Sequence, residues 1–194
     1  KLLFAATIVS PYIPMLFMGE EWGAKTPFSY FISHSDAELV EAVRAGRTKE
    51  FSAFHHGSPS DPQAETTFKN SKLDWAELSK PEHQHILAFY KKIIALRKSN
   101  SVLNELNRKN LAVEIDSDKN CLFLNRWNTN QRLFCCLNFS DQVQQIELPY
   151  TNYQLLIDSA AEEFGGPGSL TDTINQNLVR INPSSILIFS QQHV

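Results

Sequence analysis

The sequence is poor in cysteine, with three in 194 residues, and these three do not suit a metal or disulfide framework. Cys121, Cys135 and Cys136 are an odd number without zinc-type spacing, and two of them are adjacent on an apolar run that reads as a strand. Buried free thiols in a reducing, cytoplasmic compartment are the expectation. A long electropositive stripe is also missing. Eighteen Lys and Arg are interspersed with 21 Asp and Glu for a formal net charge of -3, so nucleic acid is not an expected partner. No unbroken apolar run is long enough for a membrane: the stretch from Lys1 to Met18 is interrupted by Ser10, Pro11 and Pro14. It has no small-residue cleavage site of a signal peptide and it opens in mid-pattern without a methionine, so it reads as the interior of a longer protein. There is no internal repeat and no low-complexity tract.

The chain does have the means to build a core. Hydrophobic residues make up 42% and charged residues 20%, and the length allows one full domain or two small ones. Lys1 to Val9 reads as the end of a buried helix stopped by Ser10-Pro11, because the residue before a proline avoids helical geometry. Ile13 to Met18 is a short apolar run ending at Gly19, the pattern of a strand buried on both faces of a parallel sheet. Ser35 or Asp36 offers an N-cap for a helix over 37–45 that Gly46 is placed to end. Between Arg47 and Asn70 the sequence predicts a long irregular excursion, and Pro81 opens a helix running to Lys98. Past Asn100 the texture changes to short β-rich runs at 111–115, 121–127, 133–139, 143–148, 154–158, 178–181 and 186–189, an antiparallel sandwich. Asn128-Thr129-Asn130-Gln131 reads as a hairpin turn that uses asparagine's tolerance of left-handed backbone.

The segment of most chemical interest is Ser10 to Gly23, where an apolar run delivers Glu20, Glu21 and Trp22 onto a loop. Carboxylates accept hydrogen bonds from sugar hydroxyls and an indole offers an apolar face to a pyranose ring. The same residues also suit a purely structural arrangement, with the glutamates paired to nearby bases and the tryptophan packed under the loop. The stretch Ser-Pro-Tyr-Ile-Pro-Met-Leu-Phe-Met-Gly-Glu-Glu-Trp-Gly at 10–23 resembles the eighth-strand region of the α-amylase family of glycoside hydrolases. Further along, Pro27 to Phe31, Glu41 to Arg47 with Glu50-Phe51, Asp61-Pro62-Gln63 with Thr67-Phe68, and Ser71 to Trp75 are similar to the trehalohydrolases within it. The motifs run in order through residues 1 to about 98.

The resemblance implies an α+β chain in two parts: residues 1–100 as the last strand and outer helices of a (β/α)8 barrel, and 101–194 as an all-β sandwich domain. It implies hydrolysis of the α-1,4 bond next to the α,α-1,1-linked terminal unit of maltooligosyltrehalose. That chemistry needs two carboxyl groups about 5–5.5 Å apart in a retaining enzyme. In the family they come from strands four and five, with a third aspartate after strand seven. All three positions fall upstream of Lys1, so no catalytic residue is assigned and the chain alone is expected to be inactive, with the upstream barrel segment as its partner.

A contribution to binding remains. Arg47 is the first candidate, in a Gly-Arg-x-x-Glu-Phe stretch that resembles a family motif near the sugar cleft, with Glu50 to orient it, or the two as an ordinary surface ion pair. Trp22 and Phe28 are candidates for ring stacking, and Glu20 and Glu21 for hydroxyl binding. No cofactor is expected, and no metal either: His55 and His56 are adjacent, and His83 and His85 lie on different faces of one helix. Asn138-Phe139-Ser140 matches a glycosylation acceptor but reads as a turn. Two other readings compete: the equivalent piece of a branching enzyme, and a carbohydrate-binding sandwich using Phe123, Trp127, Phe134, Phe139, Tyr150, Tyr153 and Phe164 as a stacking platform. Finally, Leu2, Leu3, Ile8, Ile13, Leu16 and Phe17 would need burial, so a homodimer through exposed barrel surfaces, or a collapsed N-terminal half, is expected.

Overall fold

The computed structural model describes residues 1–54, 59–171 and 177–192, with side chains described for 1–52, 59–171 and 177–191. The adjacent His55 and His56 lie outside these. Two compact units divide the chain: Lys1–Gly23 with Leu78–Val194, and Ala24–Glu77.

In the larger unit, helix α1 spans Leu2–Val9 and buries Leu2, Phe4, Ala5, Ile8 and Val9. Ser10 is extended at φ -68° and ψ 153°, as its position before Pro11 demands. Helix α4 spans Pro81–Ser99, with the proline in its first turn, where the missing N–H has no partner to lose. Phe89, Tyr90 and Ile93 form its buried face. The Tyr90 ring stacks on Phe4 at 3.5 Å between centroids, and Phe89 meets Phe164 edge-on at 5.3 Å. Asn100 ends α4 through its backbone N–H to the Leu96 carbonyl, and its side chain accepts from the N–H groups of Val102 and Leu103, capping helix α5, Ser101–Asn104.

Among the described residues seven antiparallel strands follow: β1 Leu111–Asp116, β2 Cys121–Trp127, β3 Gln131–Asn138, β4 Gln144–Glu147, β5 Gln154–Asp158, β6 Leu178–Ile181 and β7 Ser185–Gln192. Five form one sheet in the order β1-β2-β3-β7-β5, and β4 pairs with β6 in a separate ribbon. The two-residue period of the strands sorts their side chains. Leu124, Leu133, Cys135, Leu137, Ile186 and Ile188 face α1, α4 and α5. Cys121, Phe134, Cys136, Leu187 and Phe189 face Ile146, Leu148, Val179 and Ile181 in and beside the ribbon. With both faces of the sheet covered, β3 is buried from Leu133 to Asn138 without a polar alternation. Each large apolar side chain enclosed this way stabilises by about 1.5–3 kcal/mol relative to exposure. The three cysteines are buried and free.

In the smaller unit, Asp36 caps helix α2, Ala37–Phe54, by accepting from the N–H groups of Glu38 and Leu39. Helix α3 spans Glu65–Asn70, and Phe68 meets Phe31 edge-on at 5.1 Å.

Several expectations are corrected. Ile13–Met18 is not a strand: a parallel strand exists only with neighbours, and none pairs with it among the described residues, so Ile13 and Met15 are 77% and 89% exposed. Of the side chains expected to need cover, Leu2 and Ile8 have found it against α4 and the sheet, while Leu3, Ile13, Leu16 and Phe17 remain exposed. Gly46 does not end α2. Its φ is not positive, and a helix interior tolerates glycine at a cost of only about 1 kcal/mol. The irregular excursion after Arg47 instead contains the second half of α2 and all of α3. Compactness does not change near Asn100, because α1, α4 and one sheet face share a core. The Asn128 turn keeps negative φ and closes by Asn128 Oδ1 accepting from the N–H groups of Asn130 and Gln131; left-handed asparagines stand at Asn120, Asn152 and Asn177. Asn138 is wholly buried, its amide donating to the Gln142 and Asn182 carbonyls, which closes it to glycosylation.

The C-terminal end of α1 is held by two arginines. Arg97 donates to the carbonyls of Ile8, Ser10 and Tyr12, and Arg126, 1% exposed, donates to those of Val9 and Glu105. Burial pulls both guanidinium pKa values below the ordinary one. Among the described residues no carboxylate pairs with Arg126, so removing it strands carbonyls and not a charge; each stranded group costs about 1–3 kcal/mol, offset by the recovered desolvation. Arg126→Met is therefore expected to destabilise the chain by about 2 kcal/mol, read as a lowered urea midpoint at unchanged slope. An unchanged midpoint would contradict the role.

Candidate functional site

The six residues singled out from sequence fall into the two units: Glu20, Glu21 and Trp22 in one, Phe28, Arg47 and Glu50 in the other.

Glu20 to Trp22 form a single 3-10 turn between two left-handed glycines, Gly19 at φ 88° and Gly23 at φ 67°. A side chain at Gly23 would meet Ile86 at 2.9 Å, so the position suits glycine on both counts. Both half-buried carboxylates are engaged by the turn itself: Glu20 accepts from the Phe17 N–H at 3.0 Å and Glu21 from the Gly19 N–H at 2.9 Å. The second Glu20 oxygen takes a long bond, 3.5 Å, from the Tyr90 hydroxyl. Burial, then the Glu20 charge, push the Tyr90 pKa up to about 12. Trp22 is 2% exposed, and its carbonyl lies 2.7 Å from His83 Nδ1 on α4. The expected stacking of Trp22 on a sugar is thereby corrected: the indole packs inward because α4 passes behind the turn. His83 is buried in this contact, and His85 lies against Gly165, so both histidines serve packing.

The smaller unit presents an open cavity of about 240 Å³, lined by Phe28, Ser29, Tyr30, Arg47, Phe51, Pro59 and Ser60. Its floor comes from two places. The extended segment 28–32 is pinned by a bond from the Ile32 N–H to the Pro62 carbonyl and by Ser71, whose hydroxyl accepts from the Ser29 N–H. Helix α2 contributes Arg47, whose guanidinium lies 5.1 Å over the Tyr30 ring and donates to Glu50 Oε2 at 2.6 Å. Glu50 sits one turn on and outside the cavity lining and holds one edge of the guanidinium; among the described residues no other hydrogen bond engages it. Phe28 and Tyr30 are about half exposed, at 49% and 46%. Aromatic faces beside a planar donor suit a ring that is apolar above and below and rich in hydroxyls at its edge.

A clamp that sequence reading missed positions the loop across from them. Arg44 reaches Asp61 with two parallel bonds, 2.9 and 2.8 Å, and also pairs with Glu41. Asp61 in turn accepts from the Gln63 N–H, and Gln63 exchanges bonds with both backbone groups of His34. The signal was there in the three-residue spacing of Glu41, Arg44 and Arg47, which puts them along one side of a helix; its target, Asp61, depended on the fold.

The Arg44 bonds, then the Gln63 N–H, hold the Asp61 carboxyl below its ordinary pKa of 3.8. A depressed folded value means that the contribution is complete above the unfolded pKa and lost as pH falls through the folded one. An NMR titration of the Asp61 carboxyl is expected to give a midpoint below 3.8 that Arg44→Ala returns toward it. A midpoint at or above that value in the unaltered chain would contradict the clamp.

Residues 113–192 match the alpha amylase C-terminal all-beta domain family. A malto-oligosyltrehalose trehalohydrolase from Rhizobium sp. (strain M-11) is 39% identical over 161 residues, 82% of this chain and 26% of that protein. Another from Deinococcus radiodurans is 45% identical over 117 residues, 59% of this chain and 19% of that protein. The chain therefore spans about a quarter, or less, of the length of the curated relatives it matches. Among solved structures, an α-amylase-type protein from Salmonella typhimurium superposes with a TM-score of 0.75 at 27% identity, over 97% of this chain and 30% of that one.

Proposed function

We propose that this chain, which belongs to the α-amylase family and corresponds to the C-terminal part of its trehalohydrolases, serves a glycoside hydrolase that releases trehalose from maltooligosyltrehalose by cleaving the adjacent α-1,4-glucosidic bond. The observation that carries the reading is the 39% identity over 161 residues, more than the β domain alone can supply, so the likeness includes helical regions where the trehalohydrolase motifs lie. A branching enzyme or a free-standing sugar-binding module is less well supported. The aromatics of the sandwich serve its interior in good part, with Phe134, Phe164 and Phe189 each less than 5% exposed.

In this reading residues 1–100 are the closing part of the catalytic barrel and 101–194 the domain that follows it. The upstream barrel segment brings the nucleophile and the acid/base carboxyl, and covers the exposed apolar stretch from Ile13 to Met18, which would otherwise drive self-association of the chain. The present chain contributes binding: Arg47, oriented by Glu50 and backed by Tyr30, donates to hydroxyls of the glucan, and Phe28 offers a ring face. Glu20 and Glu21 act one step back, fixing the turn on which the family's eighth-strand sequence ends. Three free thiols and a fold with no helix, among the described residues, long and apolar enough to cross a membrane are compatible with a cytoplasmic enzyme.

In the enzyme that contains this chain, Arg47→Ala is expected to lower kcat/KM for maltooligosyltrehalose about tenfold, the equivalent of one lost charge-assisted hydrogen bond. Arg47→Lys should recover only part, since an ammonium cannot hold Glu50 and a ligand in one plane. An unchanged kcat/KM in Arg47→Ala would remove the ligand role.

A further inference from the structure

The β domain has a second cavity, of about 120 Å³, at the part of the five-stranded sheet beside the β4–β6 ribbon. Phe123 and Phe134 form its apolar wall, nearly parallel at 12° with centroids 5.8 Å apart, and Pro149 closes one side. Asn125 lies directly opposite Phe134 in register and two residues along β2 from Phe123, on the same face. Its Oδ1 is buried and has no hydrogen-bond partner among the described residues. An unpartnered buried amide costs about 1–3 kcal/mol, and a β-branched side chain would suit the strand better. The rim carries two exposed carboxylates, Glu114 from β1 and Glu147 from β4, and no cation lines the cavity.

We propose that this cavity binds a neutral saccharide. A pyranose ring presents an apolar face to Phe123 while its hydroxyls donate to Glu114 and Glu147 and accept from the outward-facing end of the Asn125 amide. Two carboxylates without a counter-cation disfavour an anionic ligand. The acceptors Glu114 and Glu147 beside the Phe123 ring and the Asn125 amide match a hydroxyl-rich neutral ligand, and among the described residues no three His, Cys, Asp or Glu side chains gather to hold a metal ion. That the saccharide is a gluco-oligosaccharide rests on the trehalohydrolase reading. The site is remote in sequence from the Arg47 cavity and would hold a glucan chain to the enzyme without taking part in its cleavage.

The test is a titration of the ¹⁵N-labelled chain with maltotetraose, followed by amide shifts. The expected result is saturable shifts at residues near 114, 123–126 and 147–149, retained in Arg47→Ala. Asn125→Ala should weaken this binding about tenfold, and so should the exposed rim variant Glu147→Gln to a smaller degree. Absence of these shifts, shifts unaltered by both variants, or a response to tetramethylammonium in place of maltotetraose would overturn the proposal. If maltotetraose binds here while an enzyme containing the chain releases no trehalose, the trehalohydrolase reading fails and the site stands; if trehalose is released but these shifts are absent, the site fails and the trehalohydrolase reading stands.

Discussion

The larger unit is organised by the need to satisfy a helix end that water does not reach. Helix α1 stops at Ser10-Pro11, and the carbonyls of its last turn lie against α4 and the sheet, with Val9 and Ile8 almost fully enclosed. Such groups must find donors in the protein or the helix end cannot be buried. Arg97 comes from α4 and Arg126 from β2, so the solution ties three elements distant in sequence to one point. From there the chain runs to the turn at Glu20, and the same α4 closes it through Tyr90 and His83. The position of the 10–23 segment is in this way a consequence of how a buried helix terminus is capped.

The smaller unit solves a different problem with weaker means. It is short and polar, and its order comes from a chain of side-chain bonds running from α2 through Arg44 and Asp61 to Gln63 and the segment at 32–34. These groups are largely exposed, so each contributes little alone, and the bidentate geometry of Arg44 with its coupling to Gln63 is what gives the set its value. The result is a cavity walled by Phe28 and Tyr30 from one segment and Arg47 from another.

Much of this was legible in the residues. The helix opened by Pro81, the seven β runs and the buried thiols rest on strong local rules: proline in a first turn, a two-residue period, apolar runs bounded by turn residues. What escaped depended on partners. The run from Ile13 to Met18 has the composition of a buried strand, but composition does not supply neighbours, and among the described residues no strand lies beside it to form a sheet. Gly46 has the residue type of a helix stop, yet ion pairs on either side carry α2 through it. Trp22 stood beside the first candidate, Arg47, as a ring-stacking residue from its chemistry alone; burial behind α4 removes it, and burial is a tertiary property. Asn100 marks a change in texture that is real, although the core continues across it.

Under the proposal, the chain supplies binding and closing functions to a trehalohydrolase whose reacting carboxyl groups lie elsewhere in the enzyme. That assignment is tested most directly by producing the chain and the upstream part of a trehalohydrolase separately, and assaying trehalose release from maltooligosyltrehalose by each and by their mixture. Release from the mixture and none from this chain is the expected result. Release by this chain alone, or a stable complex of the two parts that releases none, would contradict it.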